Sequence, residues 1–132
     1  MIKNNKKIMV DMSATILHHG HIRLLKKASQ FGEVIVALSN DADIKKYKKI
    51  IPEIKFKYRK EILQSIAYVD KVVKSPWLIN ENFLKKYNID YLVHGHDNAN
   101  PIIKKKLKIF QKTKNISSNL IRRKACKNIK FK

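Results

Sequence analysis

Short apolar runs alternate along the chain with stretches whose apolar residues fall at helical spacing, and this alternation predicts the architecture. Lys7 to Asp11 (KIMVD) reads as a first buried strand. From Gly20 to Phe31 the residues Ile22, Leu24, Leu25, Ala28 and Phe31 lie near the helical period, predicting a helix that Gly32 would end as a C-terminal glycine. Glu33 to Leu38 (EVIVAL) is β-branched and almost wholly apolar, as a parallel strand covered on both faces requires. Residues 40–56 are lysine-rich, weakly patterned and interrupted by Pro52, and so read as a mobile, ligand-facing segment. Tyr58 to Val69 carries Ile62, Leu63, Ile66 and Ala67 on a second amphipathic helix, and Lys71 to Val73 forms a short third strand. Asn80 to Tyr87 reads as a helix with Asn80 as its N-cap, followed by a fourth strand at Tyr91 to His94. Lys106 to Gln111 is a candidate fifth strand and Ser117 to Ala125 a closing helix. Such β-α-β order predicts a single α/β domain: a parallel sheet flanked by helices, with ligands at the carboxyl ends of the strands.

Composition narrows the function classes without choosing one. The 132 residues fit one domain with a real core, and 44% hydrophobic residues exclude a disordered tail. Thirty Lys and Arg against ten Asp and Glu give a formal charge of +20, which draws anions: nucleic acid, anionic lipid or phosphorylated metabolites. The excess is mostly lysine, as in a solvated coat, and no stretch interleaves aromatics with arginines as single-strand binders do. One cysteine, Cys126, excludes an intramolecular disulfide. No apolar run approaches bilayer length, and MIKNNKK leads into no apolar signal stretch, so a cytoplasmic protein without a membrane partner is expected.

The densest chemistry is Leu17-His18-His19-Gly20-His21, where the first strand hands over to the first helix. Backbone N–H groups and the helix dipole favour an anion there, and Gly20 would let a phosphate approach the backbone closely. Zinc is the rival use of three imidazoles, but no cysteine or carboxylate lies nearby at ligand spacing. Ser117 and Ser118 open a helix, where serine is an N-cap and where free N–H groups and hydroxyls also suit phosphates.

The stretch VDMSATILHHGHIRLLKKA (residues 10–28) resembles the opening of the HxGH nucleotidyltransferases, especially the glycerol-3-phosphate and ethanolamine-phosphate cytidylyltransferases. Three further segments resemble the family in the family's order: Tyr58-Arg59 with the later YVDKVV at 68–73, DYLVHGHD at 90–97, and KTKNISSN at 112–119. The resemblance implies a Rossmann-like cytidylyltransferase domain over residues 1–126, with a frayed basic tail at 127–132. It departs at Met12-Ser13-Ala14-Thr15, where the family commonly has Gly-Thr-Phe-Asp, so that motif's acid is absent at Thr15. Lys112 stands where arginine is usual, which keeps the charge and loses the bidentate fork; Asn119 replaces a hydroxyl residue.

What the resemblance implies is attack by a phosphate-monoester oxygen on the α-phosphorus of CTP, with pyrophosphate leaving in line and magnesium accompanying the nucleotide. His18 and His21 then serve the triphosphate and the transition state. Lys48 would hold the acceptor and α-phosphates, with Lys46 and Lys49 as alternatives one register away. Arg59 is implied as a second substrate contact. Ser13, Ala14 and Gly20 would line the nucleotide site from the first loop, Asp97 from the fourth. Lys112, Thr113 and Ile116 would approach from the last connection, with Ser117 and Ser118 cradling pyrophosphate. A length near the minimal domain points to a glycerol-3-phosphate-like acceptor, whereas His94-Gly95 and Asp97 resemble the ethanolamine-phosphate branch. A homodimer is implied as the active form. The alternatives are an adenylyltransferase using ATP, a non-catalytic descendant, and a basic nucleic-acid-binding module, which would leave HHGH and ISS unexplained.

Overall fold

The computed structural model describes residues 5–95 and 99–129. Among them five strands form one parallel sheet: β1 (Lys7–Met12), β2 (Glu33–Ser39), β3 (Lys71–Ser75), β4 (Tyr91–His94) and β5 (Leu107–Ile109), in the order β3-β2-β1-β4-β5. Five helices accompany it: α1 (His19–Ser29), α2 (Asp41–Lys48), α3 (Phe56–Gln64), α4 (Glu81–Lys86) and α5 (Ser118–Asn128). The apolar strands are explained by cover on both faces. Ile8 and Val10 of β1 join Val34 and Val36 of β2 in one layer with Leu25 and Ala28 of α1 and Leu63 of α3. Met9, Ile35, Ala37 and Leu92 point the other way, onto Ile79 and Leu84. The strand order reverses between β1 and β4, which opens a crevice beyond their carboxyl ends.

The amino ends of the strands are fastened by one device used twice. Asp70 Oδ2 accepts from Val34 N (2.8 Å) while its own N–H donates to Val34 O (3.0 Å). Asp90 repeats the pattern on Lys7, at 2.9 Å in both directions. Each aspartate thereby locks the entry of a later strand, β3 or β4, to an earlier one.

Three expectations are corrected. Residues 40–56, read as mobile and ligand-facing, contain a helix: α2 forms there although its apolar pattern is weak, and Lys48 and Ile50 line the crevice. Asn40 caps it, with Oδ1 accepting from Asp43 N at 2.9 Å, acidic residues fill its first turn, and Ile44 is wholly buried. Arg59, implied as a substrate contact, is buried and does not line the crevice. Its side chain is 1% exposed, and the guanidinium donates to the carbonyls of Ile54 (2.9 Å), Ser13 (2.6 Å) and Ser39 (3.0 Å) and to Asp41 (2.5 Å). Its donors are occupied in binding the β1 and β2 exits to the start of α2. Gly32 does not cap α1, whose C-cap is Gln30. α5 ends at Asn128.

Gly32 is required by a close approach. A Cβ there would stand 2.2 Å from the Lys6 carbonyl oxygen, which accepts the Glu33 N–H that begins β2. Gly32→Ala is therefore expected to cost about 1–3 kcal/mol, read as a lowered urea midpoint with unchanged m-value. A midpoint equal to that of the native chain would exclude this constraint.

Candidate active site

The crevice at the β1/β4 exits is a cavity of about 730 Å³, lined from the β1–α1 connection, the β4 exit, Lys48 at the end of α2 and the segment leading into α5. His18, as N-cap of α1, accepts the Gly20 N–H on Nδ1 at 3.1 Å. His21, one turn on, accepts the His18 N–H on its own Nδ1 at 3.1 Å. This reciprocal capping box uses two imidazoles where a hydroxyl and a carboxylate are usual. With both Nδ1 atoms accepting, each neutral ring carries its proton on Nε2 and offers that N–H as a donor. The rings lie 4.0 Å apart between centroids. Gly20 lines the crevice, and a Cβ there would fall 2.8 Å from His18 Cε1, so the glycine also leaves room for the imidazole.

The electrostatics keep His21 neutral. Burial, then His18, Lys48 and Lys112, lower its pKa from 6.5 to about 4. His18 is lowered as well, by burial and by His19. Lys48 and Lys112 thus act on His21 from different elements, and both line the crevice. Neither Lys46 nor Lys49 lines it.

The other expected residues divide by position. Ser13, Ala14, Thr113, Ile116, Ser117 and Ser118 line the crevice; Ala14 holds a left-handed φ of 45°. The serine hydroxyls, however, already have structural work. Ser117 Oγ accepts from Leu120 N at 3.0 Å as the α5 N-cap, and Ser118 Oγ donates to Ile16 O at 2.9 Å. What this turn can offer a phosphate is its first-turn backbone N–H groups, which have no intrahelical acceptor. Asp97 lies outside the described residues.

Two groups escaped the sequence reading, which named His94 but not its partners. At the β1 and β4 exits His94 Nδ1 donates to Asp11 Oδ1 (2.5 Å), while Asn100 Nδ2 donates to Asp11 Oδ2 (3.0 Å) and Asn100 Oδ1 accepts from Ile79 N (2.7 Å). A polar residue closing each of two apolar strands was the available signal. Trp77, on the crevice wall, stacks on Tyr47 at 4.8 Å and 13°. The second group is Arg122, which reaches Thr15 Oγ1 at 2.6 Å. Among the described residues no three His, Cys, Asp or Glu are grouped to hold a metal, and no helix is long and apolar enough to cross a membrane.

Residues 13–124 match the model of the family described as cytidylyltransferase-like. The chain is 38% identical over 95 residues to the glycerol-3-phosphate cytidylyltransferase of Staphylococcus aureus, covering 70% of each chain. It is 31% identical over 96 residues to the probable ethanolamine-phosphate cytidylyltransferase of Encephalitozoon cuniculi; the match takes in 72% of this chain and spans only 30% of that protein. An FAD synthase of Pyrococcus abyssi is 38% identical over 97 residues, 70% of this chain and 66% of that one. The crystal structure of a lipopolysaccharide core biosynthesis protein from Thermoplasma volcanium shares the fold, with a TM-score of 0.64 at 22% identity over 71% of this chain and 77% of the other.

Burial of neutral His21 makes stability depend on pH. The unfolded chain binds a proton near pH 6.5 that folded His21 refuses until about pH 4. Stability is therefore full above pH 6.5 and declines as pH falls below it. Urea midpoints at pH 7 and about pH 5, above the ordinary carboxylate range, should differ in the native chain and differ less in His21→Gln. Equal pH slopes for the two proteins would contradict the assignment.

Proposed function

The chain belongs to the cytidylyltransferase-like family, and on that footing we propose that it transfers CMP from CTP to the phosphate of a phosphorylated small alcohol, releasing pyrophosphate. The observation that carries the reading is the convergence of two Nε2–H imidazole donors, Lys48 and Lys112 with the opening turn of α5 on one crevice. Those groups suit charge on a triphosphate.

In the proposed reaction an acceptor phosphate oxygen forms a bond to the α-phosphorus while the bond to the β-phosphate bridging oxygen breaks. The electron pair leaves with pyrophosphate. No side-chain nucleophile takes part, and Cys126 is an exposed residue of α5. His18 and His21 donate to phosphate oxygens as neutral groups, a role that draws on their low basicity. Lys48 and Lys112 supply the positive charge, and the first turn of α5 receives the leaving group. Asp11 is the one carboxylate among the described lining residues, and His94 and Asn100 engage both its oxygens. A magnesium ion would therefore be held chiefly by the nucleotide's phosphates, where it would neutralise their charge.

For the acceptor, the greater identity and coverage of the Staphylococcus relative support glycerol 3-phosphate. A second reading, ethanolamine phosphate, is supported by the 31% identity to the probable ethanolamine-phosphate cytidylyltransferase of Encephalitozoon cuniculi.

Pyrophosphate release should be fastest with CTP and one of these two acceptors, and slower with ATP. Because CTP and ATP carry the same triphosphate, the lysine coat attracts them equally, and a larger thermal shift with CTP would report the base pocket. A larger shift with ATP would favour an adenylyltransferase instead. Replacing His21 by Ala should lower turnover by about 10²–10³, the scale for losing one transition-state donor, while His19→Ala should change it little. Undiminished turnover in His21→Ala would remove the histidines from the mechanism.

A further inference from the structure

The helix that faces the leaving group is held in an unusual way. None of the residues of α5 is buried, so packing contributes little to its placement. Polar ties take over. Ser118 Oγ bonds both the carbonyl (2.9 Å) and the N–H (3.3 Å) of Ile16. One turn further, Arg122 grips Glu53 with both arms of its fork, Nε to Oε2 and Nη2 to Oε1. The same guanidinium donates to Thr15 Oγ1 (2.6 Å) and to Asn119 Oδ1 (2.8 Å). A bidentate pair fixes direction as well as distance, which a lysine could not do. The Arg122 side chain is 18% exposed, and the Glu53 carboxyl is held below its ordinary range first of all by this bond. Glu53 lies in the connection from α2 to α3, five residues after Lys48. The pair therefore joins the segment behind the lysine to the helix across the crevice.

We propose that Glu53 and Arg122 are positioning residues whose bidentate pair sets the spacing between Lys48 and the opening turn of α5, and so the fit of the triphosphate between them. This rests on the phosphate-handling reading of the crevice. Arg122 lines the crevice and Glu53 does not, but the proposed role requires neither side chain to touch the substrate. Three proteins test it: Glu53→Gln, Arg122→Gln, and the exchanged pair Glu53→Arg with Arg122→Glu. Two measurements are made on each, amide hydrogen exchange over residues 116–124 without ligand and steady-state kinetics with CTP.

Each single change should speed exchange and raise the KM for CTP about tenfold, the scale of coupling within one ionic contact, with a smaller effect on kcat. The exchanged pair should recover much of both losses. A Glu53→Gln protein with native exchange and native KM would overturn the proposal; it is a conservative change at a half-exposed residue, so misfolding does not obscure the result. An exchanged pair no better than the single changes would overturn it too, since Arg122 would then act on substrate directly. If the native chain turns over no CTP, the functional reading fails while hydrogen exchange still judges the pair.

Discussion

The reversal of strand order between β1 and β4 is the constraint on which the site depends. Two neighbouring parallel strands end side by side where the order reverses, and the crevice opens beyond their carboxyl ends. Asp11 and His94 stand at the two lips of that gap and bond across it. The histidine cap lies at the start of α1, just beyond the β1 exit, and the turn into α5 follows the edge strand β5. Arg59 works beneath them, binding the carbonyls of Ser13 and Ser39 so that the β1 and β2 exits keep a fixed relation. A buried guanidinium is costly unless its donors are satisfied, and here backbone oxygens and Asp41 satisfy them.

The crevice handles its own electrostatics by dividing labour. Lysines supply charge, while His21 stays neutral first of all because it is buried and then because His18, Lys48 and Lys112 surround it. A protonated His21 would add to repulsion among cations before any ligand arrived; a neutral one donates a hydrogen bond without that penalty. The capping box fixes which nitrogen carries the proton, so the secondary structure and the chemistry are set by the same two bonds.

What was legible in the sequence follows from how local its causes are. β4 could be read at both ends because an apolar run is bounded by its own neighbours, and Asn80 and Ser117 were readable as caps since a cap acts within three residues. The histidine motif was legible for the same reason. α2 was not, because one buried isoleucine and an asparagine cap make it a helix without a periodic stripe. Arg59 showed only a positive charge, while its meaning lies in carbonyls up to 46 residues away. The Asp11–His94 bond spans 83 residues, Arg122–Glu53 spans 69, and no spacing rule reaches that far.

The paired aspartates at the strand entries bear on how such a chain can change over generations. Asp70 and Asp90 fix strand register from the amino edge of the sheet, the side opposite the crevice. Lengthening or shortening a loop at the carboxyl edge beyond the Arg59 and Asp11–His94 ties therefore leaves the strand entries paired as they are. One edge keeps the count and the other is at liberty to vary. New substrates can be explored by remodelling the loops, with the sheet acting as a ruler whose zero lies at the far end.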